Sequence, residues 1–185
     1  MSGAWKIRAS RYLLRTPYLN LRRDACDLPG GVHIADYYVV EEADYGMVFA
    51  LTAAQEVVMV RQYKHGIGTM MLELPAGYID PSDEDPAAGC LREFREETGC
   101  TVAWHQMVGT HARHPTRNTN QGHLLVATGA KRDGAQSLDA NEAIEVLFVP
   151  LDAAFEKIHR GEITAVGTIA CLYLGRDALA RAGRL

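Results

Sequence analysis

Three glutamates, Glu93, Glu96 and Glu97, stand close together in the stretch 85–98. That stretch reads as a helix: Asp85 suits the N-cap, Pro86 the first helical position and Gly99 the stop. At about 100° per residue, Ala87, Cys90, Leu91 and Phe94 fall on one apolar stripe and the three acids on the stripe beside it. Glu93 and Glu97 are separated by one helical turn, so their carboxylates meet on one face, and like charges there oppose helix formation. A solvated polar face is the ordinary explanation of such a cluster. The chemical explanation is a hard-cation site, because magnesium and manganese prefer carboxylate oxygens and keep waters for a phosphate-bearing substrate.

The surroundings favour the chemical explanation. Gly77, Glu84, Arg92, Glu93, Phe94, Glu96, Glu97 and Gly99 resemble the Nudix box, G-x5-E-x7-R-E-U-x-E-E-x-G-U, where U is a bulky apolar residue. The gap from Glu84 to Arg92 has the required length. Two departures are visible: the Gly77–Glu84 gap is one residue longer than the pattern, and the last U position is Cys100. The extra residue lies in the loop before the helix, where an insertion is cheap.

The resemblance implies an α/β/α sandwich with a mixed sheet and a hydrolase of nucleoside diphosphates linked to another group. It implies Mg²⁺ or Mn²⁺ as cofactor, with Glu93 and Glu97 as main ligands, Glu96 as a further ligand or base, and the backbone carbonyl of Ala76 as a contact just before the box. It also implies a structural salt bridge between Arg92 and Glu84, the gap to Arg92 favouring Glu84 over Asp83 for that acidic position. The chemistry suits such a set: cations neutralise a pyrophosphate and activate the attacking water, and a general base takes the proton.

Flanking segments are similar to ADP-ribose and nucleoside diphosphate sugar pyrophosphatases within this family. They are VRQYKHG (60–66), ELPAGYID (73–80), NEAIEVLFVPLDAAFEKIHRGEI (141–163) and TIACLYL (168–174). By this resemblance Glu142 is the catalytic base on a loop over the metals, with Glu145 as the competing candidate, and Arg61 and Glu73 face the substrate pocket. Pro115-Thr116-Arg117 stands where the subgroup often carries Pro-Gly. The basic loop around it holds His111, Arg113, His114, Asn118, Asn120 and His123, and Arg117 is its first candidate for a substrate contact. The substrates implied are ADP-ribose first, with GDP-mannose, dinucleotide polyphosphates or binding without turnover as alternatives. The subgroup also implies a homodimer whose N-terminal strands exchange between subunits.

The elements that must position these residues are legible in outline. Residues 36–40, 45–51, 56–62, 70–74, 102–108, 123–127 and 145–149 read as strands, and 151–160 and 168–181 as helices. Leu28-Pro29-Gly30-Gly31 reads as a turn between two short strands, while Pro75-Ala76-Gly77 reads as a strand stop. Many strands, one helix, more strands and terminal helices make an α+β domain. A small antiparallel strand element is expected over 1–45 and the catalytic domain over 46–185. The 185 residues carry 48% hydrophobic and 23% charged residues with a net charge of -4, so neither disorder nor a general attraction to nucleic acid is expected. Cys26, Cys90, Cys100 and Cys171 fit no zinc spacing, and no apolar run approaches a membrane span. Reduced thiols and the lack of a secretory signal in the first residues predict a cytoplasmic protein.

Overall fold

The computed structural model describes residues 3–185, which form two compact units. The first runs to Asp44 and includes the excursion Ala112–Gln121; the second comprises Tyr45–His111 and Gly122–Leu185. The excursion, expected to belong with the catalytic part, clusters instead with the N-terminal strands.

In the first unit, β1 (Lys6–Arg15), β2 (Asn20–Asp27) and β3 (His33–Glu41) form an antiparallel sheet in that order. The expected turn after β2 closes with Gly31 N–H donating to the Leu28 carbonyl. Polar pairs organise this small sheet: buried Asp24 accepts from Ser10 Oγ at 2.7 Å and Arg22 Nε at 3.0 Å, and Arg22 also pairs with Glu41. The excursion is laced to β3, with Val40 N–H donating to the Arg117 carbonyl at 2.8 Å and Thr119 N–H to the Val40 carbonyl at 3.1 Å. Every side chain of β1 is exposed, which explains why its sequence carries no in–out alternation by which to recognise a strand.

The second unit is built on β4 (Tyr45–Thr52), β5 (Glu56–Lys64), β6 (Thr69–Glu73), β7 (Ala76–Tyr78), β8 (Cys100–Thr101), β9 (Trp104–Ala112), β10 (Gln121–Arg132) and β11 (Ile144–Pro150). The central order is β11-β5-β4-β10-β8, with β6 on β5, β7 on β4 and β9 on β10. β4 and β10 run parallel and the other registered pairs antiparallel, so the sheet is mixed. Its helices are α1 (Pro86–Thr98), α2 (Leu151–His159) and α3 (Val166–Arg181).

The strand period of two divides the core. Val48, Ala50, Val58, Leu125 and Ala127 pack with Cys90 and Phe94 of α1. Phe49, Leu51, Met59 and Val126, from the opposite face, pack with Phe155 of α2 and Leu172 and Leu179 of α3. The expected α+β architecture, an α/β/α sandwich with a small antiparallel element, is therefore the one found. One expectation is corrected. Ala76 and Gly77 do not simply stop a strand; they belong to β7, in register with Met47 and Gly46 of β4. Pro75 ends the pairing of β6 and redirects the chain onto another strand, with its carbonyl accepting from Val48 N–H at 3.0 Å.

Candidate active site

α1 begins and ends as its sequence dictates. Asp85 Oδ1 accepts from Ala88 N–H at 2.8 Å, Pro86 opens the helix, and Gly99 closes it at φ 68° with its N–H on the Arg95 carbonyl. The apolar stripe packs against the sheet, which turns the neighbouring acidic stripe toward β5, β7 and the segment before β11. A cleft of about 490 Å³ lies there, lined by Gln62, Lys64, Ala76, Gly77, Tyr78, Arg92, Glu93, Glu96, Glu97, Ser137, Asp139 and Glu142. The approach of α1 to β7 is close: a Cβ on Gly77 would lie 2.0 Å from Glu93 Oε2, so any larger residue there must displace the Glu93 side chain.

The acids differ sharply in environment. Glu97 is 5% exposed, and its Oε2 accepts from Ala76 N–H at 3.0 Å. Burial pushes its carboxyl up to about 8; the Ala76 N–H opposes this, Glu93 and Glu142 add to it through repulsion, and Lys64 counters them. Burial also raises Glu93, partly offset by the adjacent Arg92. Glu96 is more open, with 42% of its side chain exposed. Arg92 Nη1 donates to Glu93 Oε1 at 2.7 Å and Glu96 Oε2 at 3.0 Å, and Nη2 to the Tyr78 carbonyl at 3.0 Å.

The predicted partner of Arg92 is corrected. Arg92 does not pair with Glu84, which is exposed. It donates in bidentate fashion to Asp83, from Nε at 2.9 Å and Nη2 at 3.0 Å. The Arg92 guanidinium in turn holds the Asp83 carboxyl below the usual carboxylate range. Asp83 Oδ2 also accepts from Asp80 N–H at 2.7 Å, which closes the loop before the helix. Gly77 to Asp83 has the five-residue gap of the box, so the extra residue falls between Asp83 and the helix, and the acidic role moves back one position.

The other sequence candidates separate. Glu142 lines the cleft beside Glu93 and Glu97, whereas Glu145 lies on β11 directly opposite Arg61 and pairs with it at 3.2 Å. Arg61 is exposed and does not line the cleft in this unit; strand alternation turns Gln62 and Lys64 to the α1 side instead. Glu73 Oε2 lies 3.1 Å from Lys64 Nζ. Arg117 belongs to the first unit. Lys64 was missed by sequence reasoning, and Asp83 was the alternative to Glu84 that the gap to Arg92 disfavoured. The gap from Gly77 favours Asp83 and the gap to Arg92 favours Glu84, so counting leaves the two open, and Lys64 emerges only once the phase of β5 is known.

A cation's fit can be judged from the donors. Glu93, Glu96, Glu97 and Ala76 line one cleft and offer oxygens suited to a hard divalent ion. Among the described residues, however, no three His, Cys, Asp or Glu side chains converge closely enough to hold one. Arg92 engages Glu93 Oε1 and Glu96 Oε2, and the Ala76 N–H engages Glu97 Oε2, so one oxygen of each acid meets an internal donor. The donor chemistry fits; the convergence would have to come with the ion.

Comparison with known proteins agrees with this architecture. The NUDIX domain family matches residues 44–166, and the chain belongs to the Nudix family of hydrolases. Residues 5–40 match the nucleoside diphosphate sugar hydrolase N-terminal domain. The methanol dehydrogenase activator of Bacillus methanolicus is 32% identical over 158 residues, covering 84% of each chain. The ADP-ribose pyrophosphatase of Mycobacterium tuberculosis is 32% identical over 144 residues, covering 77% of this chain and 69% of that one. A crystal structure of an ADP compounds hydrolase shares the fold with a TM-score of 0.85, at 17% identity, over 100% of this chain and 99% of that one.

Proposed function

We propose that this Nudix hydrolase cleaves the pyrophosphate of ADP-ribose or another nucleoside diphosphate sugar, releasing a nucleoside monophosphate and a sugar phosphate, with Mg²⁺ or Mn²⁺ as cofactor. The observation that carries the reading is the buried Glu97 carboxyl, raised by desolvation, in one cleft with Glu93, Glu96 and Glu142. So many acids in a partly buried cleft weaken the fold unless something compensates them. The matched N-terminal domain and the M. tuberculosis relative support the substrate class.

Glu93, Glu96, Glu97 and the Ala76 carbonyl would hold the cation. When bound, it supplies charge neutralisation of the phosphate oxygens and activation of the attacking water. Glu142 accepts the proton as the water oxygen bonds to phosphorus; the bridging P–O bond breaks and the other phosphate leaves with its electron pair. Lys64, fixed by Glu73, offers a cation to the phosphates inside the cleft. Arg92, held by Asp83, keeps Glu93 and Glu96 oriented. Arg61 and Arg117 are further proposed substrate contacts, engaged in the bound complex.

Incubation with ADP-ribose, GDP-mannose and ADP-glucose in Mg²⁺ tests the reading. Cleavage is expected, with ADP-ribose preferred by kcat/KM. No cleavage of any of the three, or full activity of Glu97→Gln, overturns it. The likeness to the methanol dehydrogenase activator supports a second reading, a nucleotide-sugar sensor acting on a partner, which predicts binding without turnover in the same panel.

The assembly proposed is a homodimer, since β1 leaves Ile7, Leu13 and Leu14 exposed. A cytoplasmic location suits the four free cysteines, three of them buried. No helix among the described residues is long and apolar enough to cross a membrane.

A further inference from the structure

The segment 133–143 joins β10 to β11 and carries Glu142. Its first half is fastened to the C-terminal end of α1. The last carbonyls of a helix lack partners within it, and here the segment supplies them. Ser137 N–H donates to the Glu96 carbonyl at 2.9 Å, and Gly134 N–H to the Gly99 carbonyl just beyond the helix at 3.0 Å. The Gln136 side chain does more. Its Nε2 donates to the Glu97 carbonyl at 2.7 Å and to the Ile144 carbonyl at 3.0 Å, while its Oε1 accepts from Arg132 Nη2 at 3.4 Å. Both neighbours of Nε2 are carbonyl oxygens, so only the amide's NH₂ face fits between them.

One amide thus joins two places at once: the turn of α1 that bears Glu97, and the first residue of β11, which ends the segment bearing Glu142. Between these anchors the chain makes a tight turn, with Glu142 N–H on the Asp139 carbonyl at 2.9 Å and Asp139 N–H on Glu142 Oε2 at 3.0 Å. Without Gln136, the Glu97 and Ile144 carbonyls would each lose this donor; the backbone bonds of Gly134 and Ser137 would still fasten the segment to α1, but no side chain would tie α1 to the start of β11.

We infer that Gln136 is a positioning residue: it sets the place of Glu142 over the acids of α1 by tying helix and strand together across the base of the loop. The inference rests on the proposed role of Glu142 as base. It predicts that Gln136→Met, of similar length but without donors, lowers kcat for ADP-ribose with Mn²⁺ about tenfold, as small misplacement of a catalytic group does. KM and the Mn²⁺ affinity measured by titration calorimetry should stay within about twofold, because the cation ligands and Lys64 are untouched. Hydrogen exchange should quicken over 133–143 and stay unchanged in α1 and β5. Gln136→Glu, which turns an acceptor toward both carbonyls, should be at least as impaired.

A double-mutant cycle with Glu142→Gln decides whether Gln136 acts through the base. If it does, Gln136→Met costs less than about twofold once Glu142 is already glutamine. Equal losses in both backgrounds, or a parallel fall in Mn²⁺ affinity, overturn the inference, as does a wild-type kcat for Gln136→Met beside an impaired Glu142→Gln. A wild-type kcat for Glu142→Gln overturns the base assignment itself, and this inference with it.

Discussion

Replacing Glu97 by glutamine should make the metal-free protein more stable, and increasingly so as the pH rises. Glu97 has its carboxyl raised from 4.5 to about 8 by burial. A raised acid binds its proton more tightly in the folded than in the unfolded chain. Between those two values unfolding therefore releases a proton, and stability falls with rising pH by about 1.4 kcal/mol per unit. The whole window amounts to a loss on the order of 5 kcal/mol, complete above about pH 8 and absent below the ordinary carboxylate range. Glutamine has no such proton, fills nearly the same space, and its carbonyl oxygen can keep the bond from Ala76 N–H. Urea unfolding of wild type and Glu97→Gln in EDTA, at several values from pH 4 to 9, measures the difference. The two should coincide near pH 4 and separate by about 3–5 kcal/mol above pH 8 in favour of the variant. Added Mn²⁺ should reverse the order by stabilising the wild type through binding to its folded state. A variant no more stable than wild type at pH 8.5 without metal would refute the claim that desolvation of this carboxylate strains the fold.

Asp83→Ala should lower Tm and kcat together by unseating Arg92, while Glu84→Ala leaves both at wild-type values; thermal melts and steady-state assays compare them. Lys64→Met should raise KM for ADP-ribose about tenfold with a smaller change in kcat, since it removes a phosphate-facing charge but no acid. Leu13→Glu on β1 should shift the mass seen by light scattering from dimer to monomer without changing the fold of the second unit by circular dichroism.

What could be read from the sequence follows the physics of each element. α1 announced itself because its cap, first proline, apolar stripe and terminal glycine all agree, and these features also fix the direction of Glu93 and Glu97. The central strands β4, β5 and β10 were recognisable from apolar runs buried on both faces. β1 was invisible because none of its side chains is buried, and β7 because Pro75 and Gly77 look like punctuation in a sequence although the chain re-enters the sheet there. Asp83 and Glu84 could not be told apart by counting, since both lie in a loop whose path the pattern does not determine; only the bidentate contact with Arg92 separates them. Lys64 needed the phase of β5, which a run of apolar residues followed by Arg61, Gln62 and Tyr63 leaves open. Gln136 was out of reach altogether, because its role depends on the Glu97 and Ile144 carbonyls, which are joined only by the fold.

The acidic face of α1 is expected to hold a divalent cation against a substrate pyrophosphate. The most direct test of this is an anomalous difference map from crystals soaked with Mn²⁺ and a non-hydrolysable ADP-ribose analogue. A manganese peak is expected between the Glu93 and Glu97 carboxylates, with Arg92 withdrawn from at least one of its two glutamates and the analogue's phosphates in the same cleft. Manganese absent from the cleft, with Arg92 still joined to Glu93 and Glu96 while the analogue is bound elsewhere, would contradict it.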